Sequence, residues 1–188
     1  MNFNRHSELE GKHAFLSPSK VSWIRYSKDD MRTAYYNAMA AVRGTKLHSM
    51  AKDLITEGIK VRGNKQTFAA YVNDAIGYGM TPEQPLYFSQ NCFGTTDAIH
   101  YKDSLLRIHD LKTGAGPAHI EQLEIYAALF LLEYGRQLSI RPESTKTILR
   151  IYQNDDVIEE EIEPEKIERI MDIIREKDEW VDELRMES

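Results

Sequence analysis

Apolar residues recur at helical spacing through much of the first third of the chain. Met31, Tyr35, Ala38, Met39 and Val42 are followed by Leu47, Met50 and Leu54, up to Gly58, which is the three- and four-residue repeat of one helix face. Ser27, with Asp30 three residues later, supplies a capping-box start. One long helix is expected, with Gly44 as the point where it can bend. Upstream, Ser17-Pro18 reads as an N-cap followed by proline at the first helical position, opening a short helix through Trp23 and Ile24. The stretch "NKQTFAAYVNDAIGYG" predicts another helix ending in glycines, "TPEQP" a loop, and "LYFSQNCF" a strand.

Two further strands follow closely, "GTTDAIHY" and "SLLRIHDLK", close enough to form a hairpin. "HIEQLEIYAALFLLEYG" is apolar on more than one side and reads as a helix packed on the sheet and closed by Gly135. "TKTILRIYQ" and "VIEEEIE" predict a second hairpin around Asn154-Asp155-Asp156, and Pro164 opens a last helix with Ile167, Ile170, Met171 and Ile174 inward. Helices, strands, helix, strands, helix in that order point to an α+β or mixed α/β sheet rather than a regular βαβ alternation.

The first hairpin raises a chemical question. If its loop is even-numbered, with Asp103 and Ser104 at the tip, cross-strand partners sum to 207. Asp97 then opposes Asp110, Ile99 opposes Ile108 and Tyr101 opposes Leu106, and Lys112 continues the Asp110 face. Two carboxylates about 5 Å apart at Cβ repel each other. A cation belongs between them, either the Lys112 ammonium or a divalent metal, or both. An odd-numbered loop flips the parity and removes the pair. A hard ion such as Mg²⁺ or Mn²⁺ takes one or two carboxylates, water and substrate phosphate as ligands. Gly114 and Gly116 allow a backbone close to phosphate.

Composition narrows the setting. The 188 residues suit one domain, 1–188, with core motifs at 44–126 and an acidic hairpin and helix at 145–185. No apolar run approaches the roughly 18 residues of a membrane span. The start "MNFNRHSELEGKH" lacks the apolar stretch of a secretory signal, and the single Cys92 can form no internal disulfide, so a cytoplasmic protein is expected. The net charge of −6 is uneven: residues 1–65 carry 12 Lys and Arg against 6 Asp and Glu, while 146–188 carry 7 against 15. The basic first third, including Arg25, Lys28, Arg32, Arg43 and Lys46, can meet a polyanion, and the acidic tail cannot.

Taken together, "GTTDAIHYKDSLLRIHDLKTG" and "EQLEIY" resemble the core of the PD-(D/E)XK nuclease superfamily, especially its RecB-like branch and related phage and CRISPR-associated exonucleases. Gly94-Thr95 with Asp97, then Asp110 with Lys112, then Gln122 with Tyr126, and upstream Gly44 with His48, follow that branch's order. The resemblance covers roughly residues 15–130, and "LSPSKVSWI" is similar to the opening of many such domains. It implies a restriction-endonuclease-like core, a central mixed sheet flanked by helices behind a helical N-terminal segment. It also implies Mg²⁺ or Mn²⁺ on His48, Asp97, Asp110 and the Leu111 carbonyl, with Lys112 catalytic. Gln122 and Tyr126, four apart on one helix face, would reach the scissile phosphate or brace Lys112. Arg43, Lys46 and Thr113 are candidates for touching the DNA. Some members carry a four-cysteine iron–sulfur cluster, which one cysteine cannot form.

The expected activity is therefore a metal-dependent DNA exonuclease of recombination, repair or phage DNA processing, in a bacterial cell or a phage-infected host. A nuclease-fold subunit that binds DNA or protein without cutting, and a structure-specific endonuclease, stand as alternatives. Homo-oligomers and a recombination or replication partner stay open.

Overall fold

The computed structural model describes residues 5–9, 11–63, 67–114 and 116–187. The chain divides into two compact units, Met1–Arg43 and Gly44–Ser188. In the first, the Ser17-Pro18 start opens not an α-helix but a 3₁₀ segment, Val21–Arg25. Ser17 spends its side chain on Ser19 at 2.8 Å, and its carbonyl accepts the Trp23 indole N–H at 2.9 Å. The capping box at Ser27 and Asp30 forms as the sequence predicts: Ser27 N–H donates to Asp30 Oδ2 at 2.9 Å and Asp30 N–H to Ser27 Oγ at 3.2 Å. It starts α1, Lys28–Thr56, which begins in the first unit and ends in the second.

In the second unit, α1 stops where Gly58 turns left-handed at φ 67 and the Ile59 N–H reaches back to the Leu54 carbonyl at 2.9 Å. Its buried positions there are Gly44, Ala51 and Ile55. The predicted stripe through Met50 is displaced, since Met50 is exposed. Helix α2 covers Thr67–Gly77. Residues 64–66, the start of that predicted helix, lie outside the described residues.

Strand β1 is Thr81–Tyr87, which corrects two expectations: "TPEQP" is strand rather than loop, and "SQN" is the turn into β2. Prolines at 82 and 85 are tolerated because β1 lies at the sheet edge, where one side of the backbone needs no donor. Strands β2, Phe93–Lys102, and β3, Leu105–Leu111, form the hairpin in the even-loop register, with Ala98 opposite His109, Ile99 opposite Ile108 and Tyr101 opposite Leu106. Asp103 and Ser104 at its tip hold φ 50 and 59, the paired left-handed residues of a type I′ turn.

Helix α3, Glu121–Leu138, runs past Gly135 and ends where Ser139 turns left-handed at φ 55. It carries the chain to β4, Lys146–Gln153, which pairs parallel with β3. Strand β5, Asp156–Ile162, closes a second two-residue hairpin through Asn154 and Asp155, at φ 53 and 60. Helix α4, Pro164–Glu187, begins at the predicted proline. The sheet order is β1-β2-β3-β4-β5, antiparallel apart from β3 with β4. The protein is thus a mixed α/β fold, a five-stranded mixed sheet flanked by helices. Among the described residues, no helix is long and apolar enough to cross a membrane.

Two apolar clusters sandwich the sheet. On one side α3 and α4 bring Leu123, Ala127, Leu131, Ile167 and Ile174 against Leu106, Ile108 and Leu149. On the other, Ala51 and Ile55 of α1 and Tyr71, Val72 and Ala75 of α2 pack on Ala98, Leu111 and Tyr152. Adjacent residues of β3 therefore serve different cores, which is why Asp110 and Leu111 face opposite ways. The inward face of α4 is the predicted one, with Ile167 fully buried. Replacing Ile167 with Ala leaves a cavity between α3 and α4 and is expected to cost about 2–5 kcal/mol. Urea unfolding should show this loss, while Glu161→Ala on exposed β5 should change stability by less than about 1 kcal/mol.

Candidate functional site

Four carboxylate or imidazole groups from four elements, His48 of α1, Glu83 of β1, Asp97 of β2 and Asp110 of β3, lie near one another at the end of the β2–β3 hairpin. The ladder bonds of that hairpin stop at Ala98 and His109, one residue before Asp97 and Asp110. In place of the next rung, the Leu111 N–H donates to Asp97 Oδ2 at 2.8 Å. The other oxygen of Asp97 lies 3.4 Å from His48 Nδ1, on the buried face of α1 between Gly44 and Ala51. Asp97 thus ties α1, β2 and β3 together through one carboxylate.

Glu83 completes the group. Ligand atoms of His48, Glu83 and Asp97 lie within 4.8 Å of one another, a set that can hold a metal ion. Sequence reasoning missed Glu83, because it sits in the segment read as loop. Pro82 pairs with Ala98 and Gln84 with Thr96, so Glu83 stands opposite Asp97 on the neighbouring strand. Its own backbone leaves strand geometry at φ 49, uncommon for a residue with a side chain and most often found where function holds it.

Asp110 lies beside this trio and is 5% exposed. Lys112 Nζ sits 3.1 Å from its Oδ1 and 3.0 Å from its Oδ2. Only the first contact has hydrogen-bond geometry, so Oδ2 is buried without a donor. Burial, then the nearby Asp97 charge, pushes the Asp110 carboxyl above its ordinary range, and Lys112 opposes that shift. Lys112 also donates to Gln122 Oε1 at 2.8 Å, and Gln122 Nε2 lies 3.5 Å from the Tyr126 hydroxyl. The i, i+4 pair on α3 therefore positions the ammonium. Tyr71, buried on α2 and feeling the charges of Asp97, Glu83 and Asp110, holds its phenol proton well beyond the usual range.

Two glycines allow these approaches. A Cβ on Gly94 would come within 2.9 Å of the Tyr126 ring, and one on Gly44 within 2.8 Å of Thr113 Oγ1. Leu111 turns its side chain into the α2 core. The carbonyls of Gly114 and Gly116 each accept a bond from Gln153 Nε2 at 2.7 Å, so these two groups are tied to β4. Lys46 and Thr113 are exposed, and Arg43 is an exposed residue of the first unit.

Chemically, an imidazole nitrogen and carboxylate oxygens suit Mn²⁺ or Mg²⁺, and the orphaned Asp110 oxygen is an acceptor lacking its partner. The residues fit such an ion. No protein-family model matches the chain, and neither curated proteins nor solved structures give a match.

The Asp97 contact, followed by the charges of Glu83 and Asp110, outweighs burial and raises the His48 pKa above that of free histidine. In metal-free protein, the extra stability from protonated His48 is complete below about pH 6.5 and fades as pH rises through the folded value. NMR titration should find His48 above about 6.5, falling in Asp97→Asn. An unchanged titration in that variant would show that Asp97 is not the partner.

Proposed function

We propose that the protein is a metal-dependent DNA nuclease with a restriction-endonuclease-like core, of the RecB-like PD-(D/E)XK type, hydrolysing phosphodiester bonds from DNA ends. The observation that carries this reading is Lys112, held between Asp110 and Gln122 beside the His48–Glu83–Asp97 group. A surface Asp-Lys pair needs no such framework; here the acid is buried, the base is braced from a helix, and three further ligand-type groups converge.

In this reading His48, Asp97 and Asp110, with Glu83 alongside and the Leu111 carbonyl as a further ligand, would hold Mg²⁺ or Mn²⁺, which would supply Lewis acidity and lower the pKa of water at the site. Lys112 brings a fixed positive charge to the phosphoryl oxygens as negative charge builds on them. Gln122 keeps the ammonium from relaxing wholly onto Asp110, and Tyr126 supports Gln122. Tyr71 stays protonated among the carboxylates and takes no part as a base. Lys46, Thr113 and Arg43 contact the DNA backbone without reading its sequence.

Incubation of the protein with labelled linear DNA and Mg²⁺ or Mn²⁺ is expected to give stepwise release from ends, with covalently closed circles resistant. Lys112→Ala should slow cleavage by about 100- to 1000-fold, and Asp110→Asn or a chelator should abolish it. If Lys112→Ala cuts as fast as the unaltered protein, the assignment fails. Digestion of circles at the linear rate would replace the exonuclease by an endonuclease.

A further inference from the structure

The first unit carries a surface that this chemistry does not use. Phe15 meets Tyr35 edge-on with ring centroids 5.6 Å apart, and Tyr35 meets Tyr36 at 6.0 Å. With Leu16 and Met31 these rings line a groove of about 440 Å³ walled by Lys28 and Arg32. Phe15, Tyr35 and Tyr36 are 39%, 47% and 64% exposed. Isolated exposed apolar side chains are ordinary, but three aromatic rings joined through Tyr35 at the surface form a patch of the kind that marks a binding site.

Charge selects the occupant. Residues 11–43 carry six Lys and Arg against two Asp. Asp30 is taken up in the Ser27 cap, and Asp29 pairs with Arg32 at 3.0 Å in an exposed contact of the weak surface kind, for which a phosphate can compete. Lys28 and Arg32 beside partly exposed aromatic rings suit a polyanion that also offers flat apolar faces. Single-stranded nucleic acid has both, whereas a duplex hides its bases in the stack. Stacking on aromatic rings beside basic side chains is also sequence-tolerant, as a strand-degrading enzyme requires.

We propose that this groove binds single-stranded DNA, stacking bases on Tyr36 and Tyr35 and taking phosphates on Lys28 and Arg32. The choice of DNA as the polymer rests on the nuclease reading. The stacking surface itself does not.

The test is fluorescence anisotropy of a short labelled oligothymidylate with the full chain in EDTA, where no cutting occurs. Tyr36→Ala should weaken binding by about 5- to 100-fold and Tyr36→Phe should bind within about twofold of the unaltered protein. An oligonucleotide with abasic sites in place of its thymidines should bind as weakly as Tyr36→Ala. Lys28→Ala should lower the salt dependence by about one phosphate contact. Equal binding by Tyr36→Ala, preference for duplex, or RNA competing as well as DNA would each overturn the proposal. So would a concentration-dependent dimer lost in Tyr36→Ala with DNA binding unchanged, since the groove would then seat a second copy. Because the assay contains no metal, failure to cleave DNA in Mg²⁺ would sink the nuclease reading and leave the binding result standing.

Discussion

Asp97 is the constraint on which the site depends. Its carboxylate replaces a rung of the β2–β3 ladder by accepting the Leu111 N–H, and its second oxygen faces His48. Opening the ladder at that level lets two acids approach, Asp110 on β3 and Glu83 on β1, instead of forcing backbone against backbone. Like charges packed this closely are costly in a half-buried setting. The fold accepts that cost because the β3–β4 ladder continues through Asp110 and Leu111 and fixes the strand. Lys112 offsets part of the repulsion, and the unsatisfied Asp110 oxygen is the remainder.

The two faces of the sheet handle polar burial in different ways. On the α2 side, Tyr152 donates to Asp74 at 2.7 Å, Arg150 reaches the same carboxylate at 2.8 Å, and Arg150 also pairs with Glu159. His109, fully buried beside them, is driven down to about 3 by burial and by the Arg150 and Arg107 charges, and stays neutral. Charges there are neutralised by partners or by loss of the proton, the usual outcome in a core. Near Asp97, among the described residues, the acids outnumber the fixed cation that pairs with them, Lys112. That contrast separates a structural network from a site that retains unspent charge.

Much of this could be read from the residues, for identifiable reasons. The β2–β3 register followed from hairpin parity, because a two-residue type I′ loop leaves no freedom in which residues oppose each other. The α1 start followed from a local cap, and α4 from a proline and a clean apolar repeat. Failures came where tertiary context overrode local preference. Two prolines hid β1, since only its edge position makes them tolerable, and Glu83 was hidden with it. Gly135 looked like a helix end, but the chain leaves the helix four residues later at Ser139, where a residue with a side chain adopts the left-handed cap. Likewise, the helical repeat of α1 correctly gave a helix but not its buried face, which runs through the small Gly44 and Ala51 to Ile55 rather than through Met50.

Those small residues bear on why the motifs look as they do. Gly44 sits one turn before His48, and any side chain there would strike Thr113, immediately beyond Lys112. Gly94 stands three residues before Asp97, and a side chain there would strike the Tyr126 ring that borders Gln122. Each glycine therefore sets the distance between two elements that carry polar groups of the site: α1 against the end of β3, and β2 against α3. Removing a methyl group's width at these two points lets His48 reach Asp97 and lets Gln122 reach Lys112 at the same time. The chemistry-bearing residues and the glycines between them are thus one geometric requirement, in which the spacing of the acids is set by what is absent from their neighbours.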